Sequence, residues 1–281
     1  MDTIPLTTEL ERNLFYMVSA YDARKRLNEF RARYGMNGVS GTVNMLKQNG
    51  KLALDTGQNI KAFGLSLNPA VTHGEYNLCV WKTDGCEAAC ILDYAYQQAE
   101  NVRNSRRALT DFLAEDTEAF ISHLAFEIDM LLGKHGTGNV AVRLNTASDI
   151  RWEMIAPGLF DQYSHAVHFY DYTKAPFGQR GMRDDYTLVY SVSERKQSIA
   201  NARKYIEAGH SATIVLPIRY RSHDDHDPIP DVLDGLVADH DAHDVRSLDK
   251  GQLGVLRAKG SARSDESGFV RTIDDALAIL A

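Results

Sequence analysis

The segment Val140-Ala141-Val142-Arg143-Leu144, running into Asn145-Thr146-Ala147-Ser148-Asp149, is a short apolar strand that ends in a polar cluster. Apolar residues bounded by Asn, Ser and Asp fit a buried strand followed by a turn. The same grammar recurs downstream. Val167-His168-Phe169-Tyr170 ends in Asp171-Tyr172-Thr173-Lys174, and Thr187-Leu188-Val189-Tyr190 ends in Ser191-Val192-Ser193-Glu194, before a helix expected from about Gln197 to Ala208. Ala212 to Leu216, Pro230 to Leu233 with Asp234-Gly235, and Leu253 to Leu256 with Arg257 and Lys259 continue it. Upstream, Ala62-Phe63-Gly64-Leu65-Ser66-Leu67 reads as another buried strand, closed by Asn68-Pro69. About seven strands, several linked by helices, argue for a parallel sheet of the α/β class.

In such a sheet the loops at the C-terminal ends of the strands share one mouth, whether the sheet closes into a barrel or stays open. The polar strand ends then become neighbours. Arg143, Asn145, Ser148, Asp149, Asp171, Lys174, Ser193, Glu194 and Lys259 are the candidate residues for gripping a small polar ligand or cofactor there. Lys174, Arg257 and Lys259 also stand beside Asp171 and Asp234, so structural ion pairs are the competing reading.

All three cysteines lie in one segment of this mouth, Cys79-Val80-Trp81-Lys82-Thr83-Asp84-Gly85-Cys86-Glu87-Ala88-Ala89-Cys90. A disulfide framework would leave one thiol over, so three thiols this close read as a metal centre. Asp84 with Glu87 three residues on suggests a capping box opening a helix from about Gly85 to Glu100. Cys86 and Cys90 would then share one helix face a turn apart, and Cys79 would fold back from the entering loop. Cys86 would occupy the first turn, where free backbone N–H groups suit an anionic cluster. Cys79, Cys86 and Cys90 are therefore the candidate metal ligands. His73, Asp84 or Asp93 could supply a fourth ligand, or one position stays open. A [4Fe-4S] cluster is the first expectation; zinc and unligated buried thiols are the alternatives. Trp81 and Tyr76 flank Cys79 and would shield a cluster or simply pack.

The remaining sequence sets bounds. The stretch from Glu9 to Tyr34 has apolar residues at helical spacing, Gly35 to Gly41 breaks it, and Val43 to Ile60 is ambiguous. A second helix is expected from about Glu115 to Leu132. A chain of 281 residues with 44% hydrophobic content is long enough for one large domain, and its net charge of −7 argues against broad nucleic-acid binding. No apolar run approaches the roughly 18 residues of a membrane span, and the first residues do not read as a signal peptide. A reducing cytoplasm is expected, which also suits free thiols.

Two resemblances follow. Leu65 to Pro69, Asn77 to Cys90, Val142 to Ile150, Phe169 to Lys174 and Leu253 to Gly260, in that order, resemble the gene-product-eighty-eight-like proteins of bacteriophages and mobile elements. That resemblance covers roughly Ala62 to Val270 and implies a viral or mobile-element origin, with the host cytoplasm as the place of action for a phage-encoded chain. More distantly, a strand, a three-cysteine loop, a helix and a run of βα units are similar to radical S-adenosylmethionine enzymes. That likeness implies an open iron chelating S-adenosylmethionine, and redox or radical chemistry. The spacing here, six residues and then three between cysteines, differs from the three and two of those enzymes, and no Gly-Gly-Glu segment ends the second strand. The expected fold is thus an α/β, partial or complete TIM-like (βα) barrel of radical-S-adenosylmethionine type. Residues 1–61 would form an N-terminal helical segment packed on an iron–sulfur domain of residues 62–281. The alternative function is non-catalytic, with zinc or a cluster holding the loop while the surface binds a host or viral partner.

Two further features carry weaker readings. The pairs His223/His226 and His240/His243 lie among carboxylates and could ligate a divalent metal, against the plainer reading of a solvated acidic loop. Arg103, Arg106 and Arg107 read as a solvated face, with Arg106 the one that could approach the mouth.

Overall fold

The computed structural model describes residues 18–36, 44–69, 76–90, 92 and 95–281. Its centre is an eight-stranded sheet built from β1 (Leu46–Lys47), β2 (Lys61–Leu65), β3 (Val140–Arg143), β4 (Val167–Thr173), β5 (Tyr186–Ser191), β6 (Ser211–Leu216), β9 (Ala238–Asp239) and β10 (Leu253–Arg257). The hydrogen-bonded order is β1-β2-β3-β4-β5-β6-β10-β9. Only β1 runs antiparallel; every other neighbour is parallel, as the strand grammar predicts. A separate hairpin joins β7 (Tyr220–Ser222) and β8 (Asp225–His226).

From β2 to β6 each strand pairs with the next in sequence, so the chain steps across the sheet in one direction. Right-handed crossovers stepping one way put all connecting helices on one face. The burial pattern agrees. The main core joins the outward strand residues Phe63, Val142, Phe169, Leu188, Ile214 and Val255 to helices α1 (Ala20–Ala32), α3 (Glu100–Glu115), α4 (Thr117–His135), α6 (Pro157–Tyr163), α7 (Ser198–Glu207) and α8 (Ile273–Leu280). Aromatic rings link the layers: Phe112 to Phe120 at 5.4 Å and Phe160 to Phe169 at 4.9 Å. Each such fully buried ring contributes roughly 1.5–3 kcal/mol of transfer free energy.

The opposite face is covered by two irregular segments. Leu52 and Ile60 from one, and Val245 with Leu248 from the other, pack on Ala62, Ala141 and Tyr170. Among the described residues both ends of the sheet are edges: β1 pairs only with β2, and β9 only with β10. The complete barrel among the expectations does not form by strand pairing among the described residues. Residues 1–61 are not purely helical either, because β1 joins the sheet from within them. That edge strand is set by Glu127 of α4, whose buried carboxylate accepts the Met45 and Leu46 N–H groups at 2.7 and 2.8 Å.

Other expectations need correction. The run Pro230 to Leu233 is a 3-10 turn over Asp231–Leu233 rather than a strand; the chain reaches the sheet later, at β9. The helix predicted from Gly85 to Glu100 is broken into α2 (Asp84–Ala88), a 3-10 turn at Ala95–Gln98, and α3. The first helix expected over Glu9 to Tyr34 is α1, capped by Ser19; its predicted start lies outside the described residues. The second predicted helix is α4, capped by the Asp116 side chain on the Ala119 N–H.

Candidate functional site

The parallel register brings the strand ends together at one edge, and a buried polar network knits them. Asn145, which follows β3, spends its side chain on the protein: Oδ1 accepts from Ser148 Oγ, the Ile150 N–H and Trp152 Nε1, while Nδ2 donates to Ile150 O. Asp171, fully buried on β4, accepts the Asn145 N–H at 2.6 Å and the Tyr186 hydroxyl at 2.5 Å. Burial pushes the Asp171 carboxyl up to about 7, against the opposing pull of Tyr186 and Arg143. Asp149 accepts the Lys174 N–H at 2.8 Å and Arg180 Nη1 at 3.0 Å. Arg180 also forms a bidentate pair with Glu153 at 2.8 and 2.7 Å, which pins the helix-free connection between β4 and β5. Ser148, Asn145, Asp149 and Asp171 are thus brought together as predicted, with their hydrogen bonds directed into the fold.

Nearer the rim, Lys174 Nζ donates to Ser191 Oγ at 2.6 Å and lies 4.9 Å from the Phe269 ring centroid. It also lines a groove with Tyr190, Arg195, Asn201 and Lys204. The Ser193 N–H donates to Ser198 Oγ, opening α7. Lys259 pairs with Asp241 at 2.5 Å, and Arg257 binds Asp239 and Asp241, so neither takes the Asp234 partner suggested by the sequence.

The cysteine loop leaves the C-terminal end of β2 and crosses this edge. It is tied to β3 by the Asp149 N–H donating to Leu78 O at 2.7 Å and by Cys79 Sγ at 3.5 Å from Ala147 O. Helix α2 is capped one residue earlier than Asp84: Thr83 Oγ1 accepts the Cys86 N–H at 3.1 Å. Glu194, at the end of β5, completes the cap. Its carboxylate accepts the Gly85 N–H at 2.9 Å and the Thr83 hydroxyl at 2.8 Å. Burial alone would raise the Glu194 carboxyl, but these donors and the nearby Lys174 cation hold it below its usual range. Gly85 is required by space here, since a Cβ would stand 2.3 Å from Ser267 Oγ and 2.9 Å from Phe269 Cβ.

Cys79, Cys86 and Cys90 are all half-buried, and none of them forms a disulfide. Cys90 lies two residues beyond the end of α2, so it does not share a helix face with Cys86 as predicted. Cys86 and Ala89 pack on a small apolar cluster of Val215, Ala258, Ala262 and Phe269. Arg151 stacks 5.9 Å from the Trp81 ring centroid, which gives Trp81 a structural partner at the loop's outer side. By donor chemistry, three cysteines outside any disulfide in one connection suit a thiophilic metal or cluster. By placement, no three His, Cys, Asp or Glu side chains among the described residues are gathered to hold a metal ion. Of the proposed fourth ligands, His73 and Asp93 lie outside the described residues. Asp84 opens α2.

A second concentration of charge lies on the helix-free face, and the strand pattern alone did not announce it. Asp244, fully buried, receives Arg143 at 3.1 Å, Lys51 at 3.3 Å and the Tyr170 hydroxyl at 2.9 Å. Burial alone would raise its pKa; Arg143, Lys51 and Arg246 hold it well below the usual carboxylate range. Arg143, a sequence candidate, lies 4.5 Å over the Tyr172 ring, and Tyr172 meets the His240 ring edge-on at 6.4 Å. His240 is wholly buried against the backbone of Gly254 and bonds Thr213 Oγ1 through Nδ1 at 3.1 Å. Burial, with Arg246 and Lys51 nearby, pushes its pKa well below the ordinary value, so the ring is neutral. Sequence reading missed Lys51, Asp244 and Arg246 because they come from irregular segments. The one available signal was the density of Asp and His around His240.

The remaining candidates are placed as follows. His223 and His226 face each other on the β7–β8 hairpin at 6.3 Å between ring centroids. Arg106 is buried rather than solvated and binds Gln97 through its side chain and carbonyl, bracing α3 on the preceding 3-10 turn. No helix among the described residues is long and apolar enough to cross a membrane.

Fold and site together define a mixed α/β protein whose mostly parallel sheet gathers polar strand ends and a three-cysteine loop at one edge. The chain belongs to the gene product 88 family, whose sequence profile matches residues 43–273. Comparison with curated proteins and with solved structures gave no match.

Proposed function

We propose that this chain is a phage or mobile-element iron–sulfur protein, acting in the host cytoplasm, that binds one [4Fe-4S] cluster through Cys79, Cys86 and Cys90. The observation that carries the reading is that every cysteine of the chain lies, outside any disulfide, in the one connection leaving β2, at the edge where the other strand ends converge. The one-directional order β2-β3-β4-β5-β6 supports the finer fold reading of a partial TIM-like barrel, open between β1 and β9. When bound, a cluster with one iron lacking a cysteine supplies one-electron chemistry and a position for S-adenosylmethionine or another ligand.

The chain's own residues have definable tasks in this reading. Glu194 and Thr83 fix the first turn of α2, which carries Cys86, by taking its Gly85 and Cys86 N–H groups. Phe269, Val215 and Ala258 exclude water on the inner side of Cys86. Lys174 and Lys259 bind and orient a small-molecule ligand, while Ser193 is buried and Arg143 is held by Asp244 on the helix-free face. Gathering the three thiols requires side-chain movement within the loop.

A second reading has its own support. The loop is already fastened to β3 and β5 by protein hydrogen bonds, which suits a zinc ion or cluster with a purely structural role and a surface that binds a host or viral partner. Anaerobic purification with iron, sulfide and zinc analysis separates the two, and adding S-adenosylmethionine to the reduced protein tests the narrower enzymatic idea. An unchanged paramagnetic spectrum without cofactor cleavage would remove S-adenosylmethionine from the account.

A further inference from the structure

On the helix-free face of the sheet, Arg143 Nε, Tyr172 Oη and His240 Nε2 are buried without hydrogen-bond partners, as are Arg246 Nη1 and Asp249 Oδ2, which lie 2.7 Å from each other. A buried polar atom left unpaired costs about 1–3 kcal/mol, so a set of them in one place points to a partner that completes them. The first three belong to one stack. Arg143 lies 4.5 Å over the Tyr172 ring, and Tyr172 touches His240 edge to face. Thr213 donates its hydroxyl to Gly254 O, so it accepts from His240 Nδ1, and His240 Nε2 is left as a bare acceptor. Asp249 Oδ2 stands 3.8 Å from that nitrogen, beyond hydrogen-bond reach.

Cations crowd the same place: Lys51 and Arg143 both reach Asp244, Arg246 pairs with Asp249, and Asp171 acts on Arg143 from the next strand. The neighbouring cations Arg257 and Lys259 are matched one for one by Asp239 and Asp241. At this face the Arg143 and Lys51 side chains keep 17% and 29% of their surface exposed.

We infer that this face binds a small oxyanion, the carboxylate or phosphate of a small molecule, through Arg143 Nε and the Tyr172 hydroxyl, with His240 Nε2 accepting from a protonated ligand group. The ligand oxygens satisfy the two donors, one of them on a guanidinium. Nothing in this inference depends on a metal at the cysteines.

Calorimetric titration and thermal unfolding of the full chain with inorganic phosphate, and separately with acetate, at ionic strength matched by chloride, test it and separate phosphate from carboxylate. Saturable binding of at least one probe is expected, with a rise in Tm. Tyr172→Phe should weaken that binding at least tenfold while leaving the unliganded Tm unchanged or higher, because it deletes an unsatisfied hydroxyl. Arg143→Lys, which keeps the charge beside Asp244 but removes Nε, should weaken it likewise. No stabilisation beyond the chloride control by either probe, or equal binding by wild type and Tyr172→Phe, would overturn the inference.

Discussion

The Glu194 carboxylate accepts the Gly85 N–H at 2.9 Å across 109 positions of sequence, and so fastens the cysteine loop to the end of β5. Its second oxygen takes the Thr83 hydroxyl, which in turn holds the Cys86 N–H. Glu194→Ala should therefore cost about 1–3 kcal/mol in urea unfolding, the usual loss for charge-assisted hydrogen bonds. It should also speed alkylation of Cys86 in the folded protein. An alkylation rate equal to wild type would show that Glu194 does not order the loop.

Gly85→Ala addresses the same contact by space rather than charge. A Cβ there meets Ser267 Oγ at 2.3 Å and Phe269 Cβ at 2.9 Å. Overpacking of this kind costs about 1–3 kcal/mol. A lowered urea midpoint is expected, and an unchanged midpoint would contradict the close approach.

Asp171 sets a pH dependence. Its carboxyl titrates near 3.8 when unfolded and at about 7 in the fold. Between those values the unfolded chain gives up its proton while the folded one keeps it, so this group's contribution to stability falls as pH rises from about 4 through 7. Asp171→Asn mimics the protonated carboxyl. Its stability should decline less than that of wild type between pH 5 and pH 8, measured by urea unfolding at each pH. Parallel declines would refute the assignment.

Asp244 has the opposite sign. Its pKa is held below the usual carboxylate range by Arg143, Lys51 and Arg246, so its contribution is present above about pH 4 and is lost as pH falls. Asp244→Ala strands the buried ends of Arg143 and Lys51, a loss of about 3–5 kcal/mol for a buried pair, nearer the lower figure because both cations keep partial exposure. Thermal unfolding at neutral pH checks the magnitude, and a Tm within experimental error of wild type would contradict it.

The parallel sheet was legible because Val140 to Leu144, Val167 to Tyr170, Thr187 to Tyr190, Ala212 to Leu216 and Leu253 to Leu256 are short, mostly apolar runs, close to the pattern of strands covered on both faces. Less legible was what covers the second face. Lys51, Leu52, Asp244 and Val245 lie in segments without periodicity, and their burial depends on contacts far away in sequence. The cysteine helix shows the limit of local rules. Thr83 and Asp84 are both good caps, and the choice fell to Thr83 because Glu194, distant in sequence, takes its hydroxyl and the Gly85 N–H together. Asn145 and Asp171 were read correctly as convergent, but composition gives no hint that they would satisfy each other.

Iron, sulfide and zinc analysis of the anaerobically purified full chain, read beside its electron paramagnetic resonance spectrum after reduction, bears most directly on the proposed cluster. The account expects about four irons and four sulfides per chain, a cluster signal, and loss of both in Cys86→Ala. Colourless protein carrying stoichiometric zinc, or a Cys86→Ala variant with full iron content and an unchanged spectrum, would contradict it.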